Sequence, residues 1–315
     1  MKYFIITIDT EGDDQWNWKY GSKITTENVK YLPRFQKLCN EFGFKPVWLS
    51  NYEMMQDPKY IDFISSIESS NKGELGMHLH AWSTPPFYKL PIQEKGAPYL
   101  IEFPEEVMEE KIAVMTELIK QRTGITPVSH RAGRWATNKM YFSILDKYGY
   151  LTDCSVTPHE NWQSSVGTTK NFGGTDYTNF PEKPYMIDNT NILEVPVTIR
   201  NVHSLIFEDK LSVRNIARSF YRIYKGQNLW CNPNRVGLHG LKSIAKYIST
   251  SSKIEDDYLM FFTHSSQLMP GGSPQYKTEE SIEDLYKKLE AAFHYIAKNY
   301  TGITLREYRR KERNE

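Results

Sequence analysis

The chain has 315 residues, 39% of them hydrophobic, and a formal net charge of +1. Such a chain can bury a sizeable core, which excludes a wholly disordered protein and admits one barrel-sized domain. The balanced charge makes no electrostatic case for nucleic acid or an acidic membrane surface. Three scattered cysteines, Cys39, Cys154 and Cys231, suit a reducing compartment and neither a disulfide framework nor a thiolate metal site.

Tyr3–Asp9 is β-branched and aromatic, so it is expected to be a buried strand. It meets Asp9 with no small-residue cleavage site, and no apolar stretch is long enough to span a membrane. The expected location is therefore the cytoplasm. Further strands are expected at Pro46–Ser50, Glu74–His80, Val128–Arg131, Leu151–Val156, Ile192–Thr198 and Tyr258–His264. Amphipathic stretches alternate with them at Glu27–Phe42, Asp57–Glu68, Glu105–Arg122, Asn138–Tyr148, Ser212–Tyr224, Leu241–Ser249 and Glu279–Asn299. Pro104 with two acids behind it starts the third of these helices, and Gly124 stops it. Repeated strand–helix alternation predicts an α/β fold with a parallel sheet, most simply a seven-stranded barrel. No repeat or linker divides the chain. The expectation is one domain over 1–305, elaborated at about 200–255, with a charged C-terminal tail, 306–315, read as a solvated helix.

The chemistry collects at the C-terminal ends of the strands, where α/β folds build their sites. The first strand ends in ITIDTEGDD. Asp9 and Glu11, two apart, share one face, so one could serve as a base and the other as a metal ligand. The third ends in GMHLHAW, whose alternation turns His78 and His80 the same way, toward one ion. His264 ends the seventh strand in FFTHSS at the same rim, where an imidazole can serve as a general acid or base, or simply cap the loop. Arg131, in HRAGRW, is placed either to lower the pKa of Asp9 and orient it or to bridge strands structurally. Asp153 faces the same layer without an evident role. Trp16, Trp18, Trp82 and Trp135 offer flat faces on which a sugar ring could stack, or wall packing. Long loops after the third and fifth strands, at 81–103 and 158–189, are expected to be lids or substrate walls.

Taken in order, ITIDTEGD, ELGMHLHAW, HRAGRW, GYLTDCSV, ILEVPV and FFTHS resemble the polysaccharide deacetylases of the NodB type, carbohydrate esterase family 4. The likeness is to a variant branch with a D-x-E first motif and an H-x-H second motif. That resemblance implies a distorted seven-stranded (β/α) barrel. It also implies Asp9 as general base, His264 as general acid, Arg131 as the tether of the base, and His78 as a metal ligand. The chain departs from the common pattern twice. Thr10 stands where a metal-binding Asp is usual, leaving Glu11 or Asp13 to serve, and Trp82 stands where the second histidine is usual, leaving His80. The implied cofactor is a divalent metal ion, zinc by donor type. The implied substrate is an N-acetylated sugar or a cytoplasmic saccharide precursor. Rival readings are a glycoside hydrolase, an amidohydrolase-type barrel, whose His-x-His falls on a different strand, and an inactive carbohydrate-binding barrel.

Overall fold

The computed structural model describes residues 2–313 except 14, 18, 204–223 and 233–256. The helices expected at Ser212–Tyr224 and Leu241–Ser249, most of the elaborated region, and Trp18 lie outside the described residues.

The expected strands form one curled sheet: β1 (Tyr3–Thr10), β2 (Val47–Ser50), β3 (Glu74–Leu79), β4 (Ser129–Ala132), β5 (Thr152–Asp153) and β7 (Leu193–Glu194). β10 (Tyr258–His264) joins the free side of β1, so the order is β10-β1-β2-β3-β4-β5-β7, all parallel. A short β6 (Tyr185–Met186) adds antiparallel to β7, and β11 (Thr301–Gly302) touches the start of β1. Because these strands are covered on both faces, they read as nearly continuous apolar runs. Phe4, Ile6 and Ile8 face outward to the helices, whereas Ile5, Val47, Leu49, Met260 and Phe262 fill the barrel.

β5 and β7 are shorter than expected. Beyond them the chain stays extended but touches its neighbours through single bonds, such as Val195 N–H to the Asp153 carbonyl (2.8 Å) and Val197 N–H to that of Val156 (2.9 Å). Pro196 between them has no N–H to donate, which interrupts the ladder. The seam between this segment and β10 is bridged by Met260 N–H to Thr198 Oγ1 (2.8 Å) and by the hairpin of β8 (Ile199–Val202) and β9 (Gln227–Trp230). Just past that hairpin, Cys231 N–H donates to Thr198 and Phe262 N–H to Cys231. The result is a distorted barrel.

Helices α1 (Leu32–Glu41), α2 (Pro58–Ser69), α3 (Glu105–Thr123), α4 (Lys139–Lys147) and α5 (Glu279–Ile296) cover the outside. The first starts later than its amphipathic pattern, after a 3-10 turn over Glu27–Tyr31, with Pro33 in its first turn. Asp57 caps α2 by accepting from Lys59 N–H (2.8 Å), and Gly124, at φ +72°, ends α3 as expected.

The last helix, α6 (Leu305–Arg313), is not the solvated tail that its charge suggests. Leu305, Tyr308 and Arg309 are buried. Arg309 donates to the carbonyls of Leu151 (3.2 Å) and Asn191 (2.8 Å), which satisfies strand-start carbonyls at the bottom of the barrel. Its apolar stripe was hidden among charges on the other face. No helix among the described residues is long and apolar enough to cross a membrane.

Candidate metal and catalytic site

Register brings the chemistry together. Asp9 pairs across the ladder with His264, and His78 with Arg131, so all four side chains enter the upper end of the barrel. Arg131 is fully buried inside it and its donors are fixed: Nη1 to Asp9 Oδ1 (2.6 Å), Nη2 to Thr7 Oγ1 (2.8 Å), Nε to the Cys154 carbonyl (3.0 Å). Burial alone would push the Asp9 carboxyl up. Arg131, then His78 and His264, more than offset it and hold the pKa at about 2. Asp9 is thus ionised throughout the useful pH range, with Oδ2 left facing His264 Nε2 at 3.8 Å.

Glu11, His78 and His80 form a buried cluster whose ligand atoms lie within 4.8 Å of one another. His78 Nδ1 lies 2.9 Å from the Arg131 carbonyl, which can only accept, so the proton sits on Nδ1 and Nε2 presents a lone pair. That Nε2 faces His80 Nε2 at 2.9 Å, and Glu11 Oε2 lies 3.1 Å from His80 Nε2 and 3.7 Å from His78 Nε2. Burial depresses both imidazoles, to about 3 for His78 and about 4 for His80, so both are neutral. Burial pushes Glu11 up to about 8, with His264 opposing and Asp9 adding to the rise. Two inward nitrogen lone pairs and a carboxylate oxygen, all desolvated, fit a divalent cation. The Glu11 backbone is held on both sides: its N–H donates to Ser265 Oγ (3.0 Å), and its carbonyl accepts from Asn28 Nδ2 (2.9 Å).

Asp13, the alternative carboxylate, is committed elsewhere. It accepts from Thr25 Oγ1 (2.9 Å), Glu27 N–H (2.7 Å), Asn28 N–H (3.0 Å) and Asn28 Nδ2 (2.6 Å), which ties the first loop to the turn that follows it. Asp153 is structural, holding His130 (2.6 Å) and Ser155 in the core.

The cluster opens into a cavity of about 590 Å3. Trp16 stands over His264 edge to face at 4.9 Å, and Trp82 stacks on His80 at 4.2 Å and 25°. Trp135 lies against Arg131 and Phe262 and also lines the space. Sequence reasoning missed three further wall residues, Arg134, Trp162 and Trp230. The two long loops make one wall together: Glu94 N–H and Gly96 N–H donate to the carbonyls of Thr168 and Gly167, and the Glu102 carboxylate accepts from Thr168 and Thr169.

No family model matches this sequence, and no curated protein matches it. Among solved structures, an inferred polysaccharide deacetylase from Mycobacterium smegmatis superposes with a TM-score of 0.56 at 12% identity, over 99% of this chain and 91% of that one. A 4-alpha-glucanotransferase from Thermococcus litoralis gives 0.52 at 14% identity; this chain covers 38% of its length, with 98% of its own residues matched. A GH57 branching enzyme from the archaeon Thermococcus kodakaraensis gives 0.53 at 11% identity, over 100% of this chain and 71% of that one. The chain has the distorted (β/α) barrel fold of the polysaccharide deacetylases, which these carbohydrate-active barrels share.

Proposed function

We propose that this protein is a metal-dependent hydrolase that removes an N-acetyl group from an amino sugar or from a saccharide precursor in the cytoplasm. The observation that carries the reading is a buried Glu11–His78–His80 donor set next to a carboxylate, Asp9, kept ionised by Arg131. Glu11, His78 and His80 would hold a divalent cation, which would supply Lewis-acid polarisation of an amide carbonyl and acidification of a water. Asp9 accepts the proton of the attacking water through Oδ2, its free oxygen. Its low pKa makes it a weak base, which suits an already acidified water. His264, across the ladder from Asp9, donates a proton to the departing amine. Arg131 holds the base in place, and the Trp16, Trp82 and Trp135 faces seat the sugar.

A glycosidase reading gains little here. Among the described residues, Asp9 and Glu11 are the carboxylates lining the cavity; one is tied to Arg131 and the other lies against two imidazoles. Glycoside hydrolysis instead needs an acid and a second carboxylate on opposite sides of the sugar bond. The deciding experiment is acetate release from N-acetylhexosamine derivatives, screened with several divalent metals. A protein that binds these sugars and releases no acetate with any metal is the inactive binding barrel.

Two outcomes test the metal centre directly. Replacing His78 or His80 by Ala should abolish stoichiometric metal binding in elemental analysis, with the fold intact; full metal in both variants would remove the assignment. Binding should also release a proton. Glu11 is protonated below about 8 in the metal-free protein, while both imidazoles are already neutral, so loading zinc at pH 7 should displace about one proton per ion. Calorimetry in two buffers of different ionisation enthalpy measures that number, and Glu11→Gln should bring it to near zero.

A further inference from the structure

Arg134 stands in the wall of the same cavity. Its hydrogen bonds all go to uncharged oxygens: Nη1 to the Ala97 carbonyl, Nη2 to Ser165 Oγ (3.0 Å) and to the Val166 carbonyl (2.9 Å). Tyr99 covers one face of the guanidinium at 3.9 Å. Among the described residues no carboxylate forms an ion pair with it, in contrast to Arg131, which has Asp9 at 2.6 Å. Glu102 is electrostatically linked to Arg134, but its oxygens accept from the backbone N–H groups of Tyr99, Thr168 and Thr169.

The backbone that presents Arg134 is strained. Arg134 and Trp135 are consecutive non-glycine residues at φ +56° and +63°. Each such residue costs on the order of 1–3 kcal/mol and persists only where the surroundings impose it, commonly at ligand sites. Gly133 before them runs so close to β3 that a Cβ would lie 2.4 Å from the Leu79 carbonyl oxygen and 2.9 Å from the ring of His80. The turn is therefore pressed against the strand that carries His78 and against the His80 ring, and the half-buried Arg134 lines the same cavity as the cluster. With a cation on Glu11, His78 and His80, the cavity's two carboxylates face two guanidiniums and that cation, which leaves the space positive. A partly buried Arg without a carboxylate partner is a usual device for gripping carboxylate or phosphate.

We infer that Arg134 is an anion-recognition residue, and that the sugar this protein acts on carries a carboxylate or a phosphate beside the N-acetylated ring. The inference rests on the deacetylase reading for the word substrate, but its test does not. The full chain loaded with zinc is titrated by NMR with glucose, glucuronic acid and glucose 1-phosphate, none of which has an amide to cleave. At least one acidic probe should bind roughly ten-fold or more tightly than glucose. Which one it is separates a uronic acid from a sugar phosphate. Arg134→Met should remove most of that preference while leaving glucose binding unchanged, and Arg134→Lys should keep part of it. If Arg134→Met fails to fold, Arg134→Gln replaces it, retaining amide donors for the loop carbonyls without the charge. Equal binding of all three probes by the wild type overturns the inference. So does a preference that survives loss of the charge, which would belong to the zinc, or an equal weakening of every probe, which would make Arg134 a loop tie alone. Failure to release acetate from any N-acetyl sugar would sink the hydrolase reading and leave this result standing.

Discussion

Asp9→Asn is expected to lower kcat by about two to four orders of magnitude, the range for loss of a positioned general base. The amide keeps the shape of the side chain and can still meet Arg131, so the barrel should fold. Metal content should survive if, as proposed, the donor atoms belong to Glu11, His78 and His80 and not to Asp9. Single-turnover acetate release with parallel elemental analysis checks both halves. Loss of metal together with activity would make Asp9 a ligand and leave the base unassigned.

Arg131→Leu should be the most damaging change to stability. It strips the partner from a carboxylate that is 2% exposed, and breaking a buried pair from one side costs about 3–5 kcal/mol. The pH dependence should also change sign. In the wild type the folded pKa of Asp9, about 2, lies below its ordinary value of 3.8. Its pairing therefore stabilises the fold above that ordinary value, and the contribution is lost as pH falls toward 2. Without Arg131, burial dominates and raises the folded pKa, so the Asp9 contribution should weaken as pH rises above 3.8. Adding Asp9→Asn to Arg131→Leu should recover part of the loss by removing the stranded charge. Urea unfolding of the wild type, Arg131→Leu and the double variant at about pH 3, pH 5 and pH 8 measures this, and a double variant no more stable than Arg131→Leu alone would mean that the cost lies in packing.

Much of this was legible in the chain because the strands carry it. Parallel strands covered on both faces are written in apolar, β-branched residues, and their ends mark the rim. The alternation in GMHLHAW turned both imidazoles to one side, and the ladder placed Arg131 beside His78. What was not legible depends on contacts between distant loops. Four acids follow one another after Ile8, and only the donors at Thr25, Glu27 and Asn28 show that Asp13 ties the first loop to the next turn, whereas Glu11 lies against His78 and His80. Arg134 could not be read at all, because its placement depends on a left-handed backbone at a residue that rarely adopts one. Trp162 and Trp230 reach the cavity from the 158–189 loop and the β8–β9 hairpin, whose positions no local periodicity encodes. The shortened β5 and β7 were over-read for a simpler reason, since extended backbone and a hydrogen-bonded ladder look alike in sequence.

His78 lies in β3 and His80 is the first residue past its end, two positions on, so the extended backbone there sets the spacing of the two imidazoles. Insertions or deletions further along the 81–103 loop, beyond Trp82, which stacks on His80, should leave that spacing unchanged. The corresponding weakness is register. A slip of one residue in β3 would turn His78 and His80 out together and bring Met77 and Leu79 in, exchanging two nitrogen donors for a thioether and an alkyl group. A metal centre held there would tolerate drift in its surroundings and yet depend on the alignment of one six-residue strand and the residue that follows it.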